Sequence, residues 1–256
     1  TLFPAVCIYF VILYLYSIKL GLSFWDWPKW EISWLIIGFS ILGYITYVLS
    51  SIYEKENNFI ALFRKYFPYL VLPQVIILFY SIYLRIAQYE LTMNRYFIVV
   101  FGLCLAVLSL YFILSKEKRL IAFPVSFILV SLLVSIGPWS VYQMPAKSQL
   151  ASLKWALVEA NILQWEIITP LDNKQDISKE LSNSIYTKID YLCDYHSCYG
   201  LRNLFSQQYS TLYISNPDDR LSHWEIVNHI TEKIKVVRYY SYDNKSEYFS
   251  VFLQSE

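Results

Sequence analysis

Charge is scarce in this chain, and glycine is scarcer still. Only 16% of the 256 residues are charged and only six are glycine, whereas an ordinary soluble domain has about 25% charged residues. Six scattered glycines leave no Gly-rich phosphate loop, and the sequence contains neither HExxH nor GxSxG, which mark zinc proteases and serine hydrolases. The common nucleotide-binding and hydrolase templates are therefore excluded.

Hydrophobic residues make up 56% of the chain and aromatic residues 19%. A bilayer core about 30 Å thick needs about 20 apolar residues of helix, or slightly fewer when the ends snorkel. Hydrocarbon offers no partner to backbone N–H and C=O groups, so each such run must be a helix. Five uncharged runs qualify: 2–18, 32–53, 67–84, 96–115 and 120–142. We predict an α-helical integral membrane bundle of five transmembrane helices over 1–142, followed by a small α+β extramembrane domain over 143–256.

The loop between the third and fourth runs contains Arg85 and Arg95. Long basic side chains at span ends reach the headgroup region, which predicts a short wet loop with snorkelling arginines. A guanidinium can also hold carboxylate or phosphate through two parallel hydrogen bonds, so an anion or lipid-headgroup contact at these two residues is the alternative. The segment 58–66, with Arg64 and Lys65 opposite its apolar residues, predicts a short amphipathic helix lying in the interface.

The fifth run closes on Gly137, Pro138 and Trp139. A Gly-Pro pair breaks or kinks a helix and frees carbonyl groups that need partners. One interpretation is an exit kink with Trp139 in the interface. The other is a small polar cavity lined by Ser135, Trp139 and Ser140, as broken helices form in transporters.

The polar C-terminal part predicts three helices and a hairpin. Helix formers fill 146–162, apolar residues repeat at helical spacing from 177 to 192, and a turn sequence precedes a third helix at about 221–234. Runs rich in Val, Tyr and Phe flank "DNKS" at 243–246, which favours a β-hairpin.

The segment "CDYHSCYG" groups Cys193, His196 and Cys198. Its spacing is not a zinc signature, so we predict no metal and no other cofactor. A Cys193–Cys198 disulfide is one alternative and is favoured in an extracytoplasmic compartment; two free thiols are the other. Residues five apart on a continuous helix point in different directions, so the disulfide requires the helix to end near Tyr195.

Part of the chain resembles a known family. The features that carry the resemblance are the "SKEKR" turn, "GPWS" followed by "KSQL", and the loop residues Arg85, Tyr89, Thr92, Arg95 and Tyr96. They resemble the bacterial multi-span membrane family known as domain of unknown function 4153. The resemblance is good over the third to fifth runs, looser over the first two and partial in the C-terminal region. Glu90 stands where we expect the family to favour glycine.

The resemblance implies a bacterial integral membrane protein with a longer N-terminal part, and it supplies no catalytic residue. The Lys and Arg residues of 54–66 and 115–119 are grouped in short loops, whereas those of the opposite face are scattered at helix ends; the positive-inside rule therefore favours a cytoplasmic location for the grouped face. Five spans then place 143–256 in the periplasm. We predict a multi-pass protein of the bacterial inner (cytoplasmic) membrane.

Three functions remain open. The first is a non-enzymatic membrane anchor, scaffold or sensor, whose partners are the lipid bilayer and other membrane or envelope proteins, with no nucleic acid. The second is part of a transporter or channel, with a polar cavity around Pro73, Gln74 and the Gly137-Pro138 break. The third is a lipid- or envelope-modifying enzyme that acts at the Arg85 and Arg95 face. The five runs contain no Asp, Glu or His, the usual markers of relays and coupling sites, so we favour the first.

Overall fold

The described part of the chain is almost entirely helical. The computed structural model describes residues 2–22, 31–115, 119–164, 167–168, 177–198, 200–201, 204 and 223–239. The elements are α1 (Leu2–Leu22), α2 (Glu31–Leu49), a 3-10 turn (Ser50–Tyr53), α3 (Asn58–Tyr89), α4 (Met93–Leu114), α5 (Ala122–Ser135), α6 (Gln143–Glu159), β1 (Leu163–Gln164), β2 (Ile167–Ile168), α7 (Lys179–His196) and α8 (His223–Lys233).

The chain forms two compact units, 1–149 and 150–256. The division falls inside α6, a few residues beyond the expected boundary between 142 and 143. The first unit contains α1 to α5, and consecutive helices in it pack against each other. This is the expected result of joining apolar helices by short connections.

Aromatic rings fill much of the core of the first unit. Phe67 of α3 lies against Phe39 and Tyr44 of α2, with ring centroids 5.9 and 5.1 Å apart. The approach is so close that a Cβ at Gly43 would lie 2.2 Å from the Phe67 ring. Glycine at position 43 therefore allows α2 and α3 to pack at this distance.

The helix α3 differs from the prediction. It runs unbroken for 32 residues, with Asn57 as its N-cap, and contains both Pro68 and Pro73. The amphipathic helix predicted for 58–66 is part of it, and Arg64 is buried at 4% exposure. A separate interfacial helix with a solvated Arg64 is therefore wrong.

Three stretches of the described residues are long and apolar enough to cross a membrane: Ser33–Tyr53, Asn58–Gln88 and Met93–Leu114. Two further apolar helices, Pro4–Lys19 and Ala122–Ser135, are shorter. The fifth predicted run is less regular than expected, because the helix ends at Ser135 and the segment up to Tyr142 consists of bends and turns.

The second unit has a core of its own. Leu157 of α6, Ile189 of α7 and Ile230 of α8 are buried in one apolar cluster, so the three predicted helices are confirmed with slightly shifted ends. The strands β1 and β2 pair antiparallel over two residues each. The hairpin predicted around 243–246 lies outside the described residues.

Candidate functional site

The turn between α3 and α4 has an unusual backbone. The helix α3 ends at Tyr89, and Glu90 follows with φ 57° and ψ −178°. This conformation is close to a region that L-residues other than glycine rarely occupy. The Arg95 guanidinium donates a hydrogen bond to the Glu90 carbonyl oxygen, so a side chain from the first turn of α4 binds the backbone of the turn that precedes it.

Leu91, the next residue, has both of its backbone groups bound by the start of α6. Its N–H donates to Ser148 Oγ at 3.3 Å, and its carbonyl accepts from Gln149 Nε2 at 3.2 Å. Gln149 is only 4% exposed. Because buried backbone groups are costly to leave unpaired, these two side chains take the place that a strand or helix neighbour has elsewhere.

The segment after α5 meets the same turn. Gly137 adopts φ 91°, and the chain folds back so that the Val141 N–H donates to the Val134 carbonyl at 3.0 Å. The Tyr96 hydroxyl of α4 donates to the Trp139 carbonyl. Tyr96, Val134 and Val141 form a small buried cluster, which closes the contact between α4 and the exit from α5.

We name residues 90–96, 137–141 and 148–149 the motif junction. Its three segments lie within or beside the loop, "GPWS" and "KSQL" sequences that carried the family resemblance, and the structure brings them together. The contacts are hydrogen bonds between side chains and backbone, with a small apolar cluster. The arrangement holds the α3–α4 turn, the exit from α5 and the start of α6 in fixed register.

The remaining predicted residues are placed as follows. Arg95 is half-buried within the junction, whereas Arg85 is half-buried farther back on α3. Trp139 is 53% exposed and contributes its carbonyl to the junction. An anion or headgroup contact at Arg85 and Arg95 stays a prediction.

Sequence reasoning missed an ion pair in the first unit between a buried arginine and a partly exposed glutamate. Arg64 Nε lies 2.9 Å from Glu54 Oε2, although the angle is too poor for a hydrogen bond. The same guanidinium donates to the Tyr47 carbonyl and lies 4.3 Å from the centroid of the Tyr47 ring. The available signal was helical spacing, because Arg64 continues the stripe of buried residues Phe67 and Val71 on α3.

Gln74 occupies the middle of α3 and is fully buried. The Ser17 hydroxyl of α1 donates to its Oε1 at 3.2 Å, while its Nε2 has no hydrogen-bond partner within the described ranges. Gln74 therefore links α1 to α3. Gln74, Gly137 and Pro138 do not line the apolar cavities of about 400, 520 and 480 Å³ that lie among the helices of the first unit.

A disulfide joins Cys193 and Cys198 at the end of α7. The helix ends at His196, and Ser197 and Cys198 adopt left-handed conformations with φ 49° and 54°. This reversal turns the second thiol back toward the first, and the Cys198 N–H donates to the Leu192 carbonyl at 3.1 Å. Burial lowers the pKa of His196 below its ordinary value.

Comparison with known proteins shows that part of the chain matches a known family. Residues 30–155 match the family described as Domain of unknown function (DUF4153). The predicted resemblance to DUF4153 is confirmed. The matched range contains the whole motif junction. Helices apolar enough to span a bilayer, within a match to DUF4153, indicate a membrane protein whose activity is unknown.

An uncharacterized protein of Pasteurella multocida (strain Pm70) is similar over a longer range. It is 28% identical over 187 residues, which are 72% of this chain and 30% of that protein. This chain thus spans less than a third of the length of that relative. No solved structure matches the chain.

Proposed function

We propose that this protein is a five-span membrane anchor or scaffold, in which the motif junction fixes the point where the chain leaves the bilayer and the second unit binds another envelope component. The single observation that carries this proposal is the motif junction, because its polar groups bind one another. Side chains bound in this way position the backbone segments that they contact.

The surface of the first unit supports five crossings. Large apolar side chains point outward on each of its helices, for example Ile12 of α1 at 57% exposure, Ile76 of α3 at 69% and Leu103 of α4 at 53%. Contiguous exposed apolar surface of this kind is costly in water. Hydrocarbon is the solvent that suits it.

The helix α5 is the weakest of the five candidates, since its 14 residues extend about 21 Å against a core of about 30 Å. Its flanks extend the apolar length. Ile121 before it, and Ile136 and Trp139 after it, are exposed at 65%, 66% and 53%. We propose that α5 crosses with these flanks at the two interfaces.

The disulfide supports a periplasmic second unit. Disulfides form and persist in oxidising compartments and are rare in the cytosol. The second unit also exposes Trp155 at 76% and Trp224 at 66%, and exposed tryptophan is typical of protein interfaces. Both features fit a unit that is held outside the inner membrane and binds a protein partner.

Cysteine labelling from each side of the membrane tests the proposal. Lys55→Cys precedes α3 and Glu180→Cys lies in α7, and both positions are exposed. Three proposed crossings separate them, so an impermeant maleimide should label Glu180→Cys in intact spheroplasts and Lys55→Cys only after lysis. Labelling of both from one side would contradict the crossing of α5. Reversed labelling would contradict the orientation alone.

A further inference from the structure

An apolar groove runs between α2, α4 and α5. Two adjoining cavities of about 400 and 520 Å³ share Ile41, Phe101, Cys104 and Phe127 in their linings. Both volumes are in the range of about 300–1,000 Å³ that is usual for small-molecule sites. Because they share four residues on three helices, the two cavities lie side by side, and we name them together the α2/α4/α5 groove.

The groove has one polar end and one apolar end. Trp34 and Asn94, near the starts of α2 and α4, line the first, while Val48 and Leu49 line the second. The sixteen residues of α2 from Trp34 to Leu49 correspond to a length of about 22 Å. This exceeds half of a bilayer core about 30 Å thick, so the groove is deep enough for an extended acyl chain of one leaflet.

The polar end is electrostatically suited to an anion. The helix α4 has no acidic residue in its first turn, and its N-cap Thr92 makes no side-chain hydrogen bond to that turn. The helix dipole places partial positive charge here. Arg95 follows the groove-lining residue Asn94 in the same first turn of α4 and adds a full charge near the groove. Glu90 is the acidic residue of the same turn and would weaken the attraction.

A buried hydroxyl in the wall is a second, independent indication of a ligand. Ser40 lines the groove and is fully buried, yet its Oγ has no hydrogen-bond partner in the part of the chain that the structure describes. It lies about 9 Å along α2 from Trp34. An unpaired hydroxyl in an apolar setting is unfavourable, and the ester carbonyl of a lipid, just below the phosphate, can accept its hydrogen bond.

We infer that the α2/α4/α5 groove binds an anionic glycerophospholipid of the surrounding bilayer. The phosphate lies at the start of α4, an ester oxygen accepts from Ser40, and one acyl chain extends toward Leu49. This inference rests on the proposed membrane crossing of α2, α4 and α5.

Photocrosslinking of the full chain in nanodiscs tests the inference. The probe is phosphatidylglycerol with a diazirine near the end of one acyl chain, and mass spectrometry locates the adducts. Adducts should concentrate on the lining residues Val48, Leu49 and Phe127, and a tenfold excess of unlabelled phosphatidylglycerol should remove most of them. Phosphatidylcholine should compete several-fold less well.

Matched variants identify the groove as the site. Ile41→Trp fills it and should lower the adduct yield at least fivefold. Leu42→Trp is the control, because Leu42 is similarly exposed, at 40% against 44%, and does not line the groove. Ser40→Ala should weaken competition by unlabelled lipid about fivefold, the effect of losing one hydrogen bond of about 1 kcal/mol.

Several results would overturn the inference. Adducts spread equally over the groove and over Ile76 of α3 would show annular lipid only. Equal yields from Ile41→Trp and Leu42→Trp would do the same. Labelling of Lys55→Cys and Glu180→Cys in intact and in lysed spheroplasts separates these results from a failure of the proposed crossing.

Discussion

Replacing Glu90 by glycine should stabilise the protein. Glu90 has φ 57° and ψ −178°, and a non-glycine residue in such a conformation costs about 1–3 kcal/mol. Glycine removes this cost but adds about 0.5–1 kcal/mol of backbone entropy in the unfolded chain. The net gain in unfolding free energy from Glu90→Gly should therefore be about 0.5–2 kcal/mol.

A control variant separates the backbone effect from the loss of the carboxylate. Glu90→Ala removes the same carboxylate but keeps the Cβ, so the difference between the Gly and Ala variants isolates the conformational strain. Thermal unfolding in one detergent, followed by tryptophan fluorescence, measures it. At about 2–4 °C per kcal/mol for a chain of this size, Glu90→Gly should melt several degrees above Glu90→Ala.

The opposite order would refute this reasoning. If Glu90→Ala were as stable as Glu90→Gly, or more so, the backbone at this position would carry no strain that glycine relieves. The backbone geometry of the α3–α4 turn would then be wrong, and so would the role of the motif junction in holding that turn.

Three further predictions concern other contacts. Glu54→Gln leaves the buried Arg64 without its ion-pair partner and should lower the unfolding free energy by about 1–3 kcal/mol in thermal unfolding; an unchanged melting temperature would contradict the pair. Burial lowers the pKa of His196, so the unfolded chain binds that proton more readily and stability should fall as pH drops from about 6.5 toward the lowered folded pKa. His196→Asn should flatten this dependence in denaturant titrations between about pH 7.5 and pH 5, and an unchanged slope would contradict it. Reduction of the Cys193–Cys198 disulfide should lower the free energy of unfolding by about 2 kcal/mol for so short a loop. Thiol titration of the denatured, unreduced protein should find two reactive thiols among its four cysteines. Four reactive thiols would contradict the disulfide.

The helices that length and apolar character define could be predicted from the sequence. An uncharged run of about 20 residues has few stable structures other than a membrane-spanning helix. The helices α2 and α4 therefore lie close to their predicted ranges. The extent of α3 could not be predicted in the same way. Arg64 looks solvated when charge alone is considered, and only its partners Glu54 and Tyr47, brought near by the turn before α3, make its burial favourable.

The motif junction was visible in the sequence only as separate motifs. Arg95, Trp139 and Gln149 are far apart in sequence, and local rules assign each a local role such as snorkelling or interfacial anchoring. Their shared role depends on tertiary contacts. The Cys193–Cys198 alternatives stayed open for a similar reason, because the disulfide depends on the left-handed turn after His196.

The measurement that tests the central claim most directly is the membrane depth of the middle of each apolar helix. Single cysteines in a background without the two free cysteines carry a nitroxide, and collision with oxygen is compared with collision with a water-soluble nickel chelate in vesicles. The positions, all exposed, are Ile12, Ile45, Ile76, Leu103 and Ile128. Five crossings predict that all five labels lie at hydrocarbon depth, with high oxygen and low nickel accessibility. A label at Ile128 as accessible to nickel as one at Glu180 would contradict the crossing of α5, and with it the five-span account.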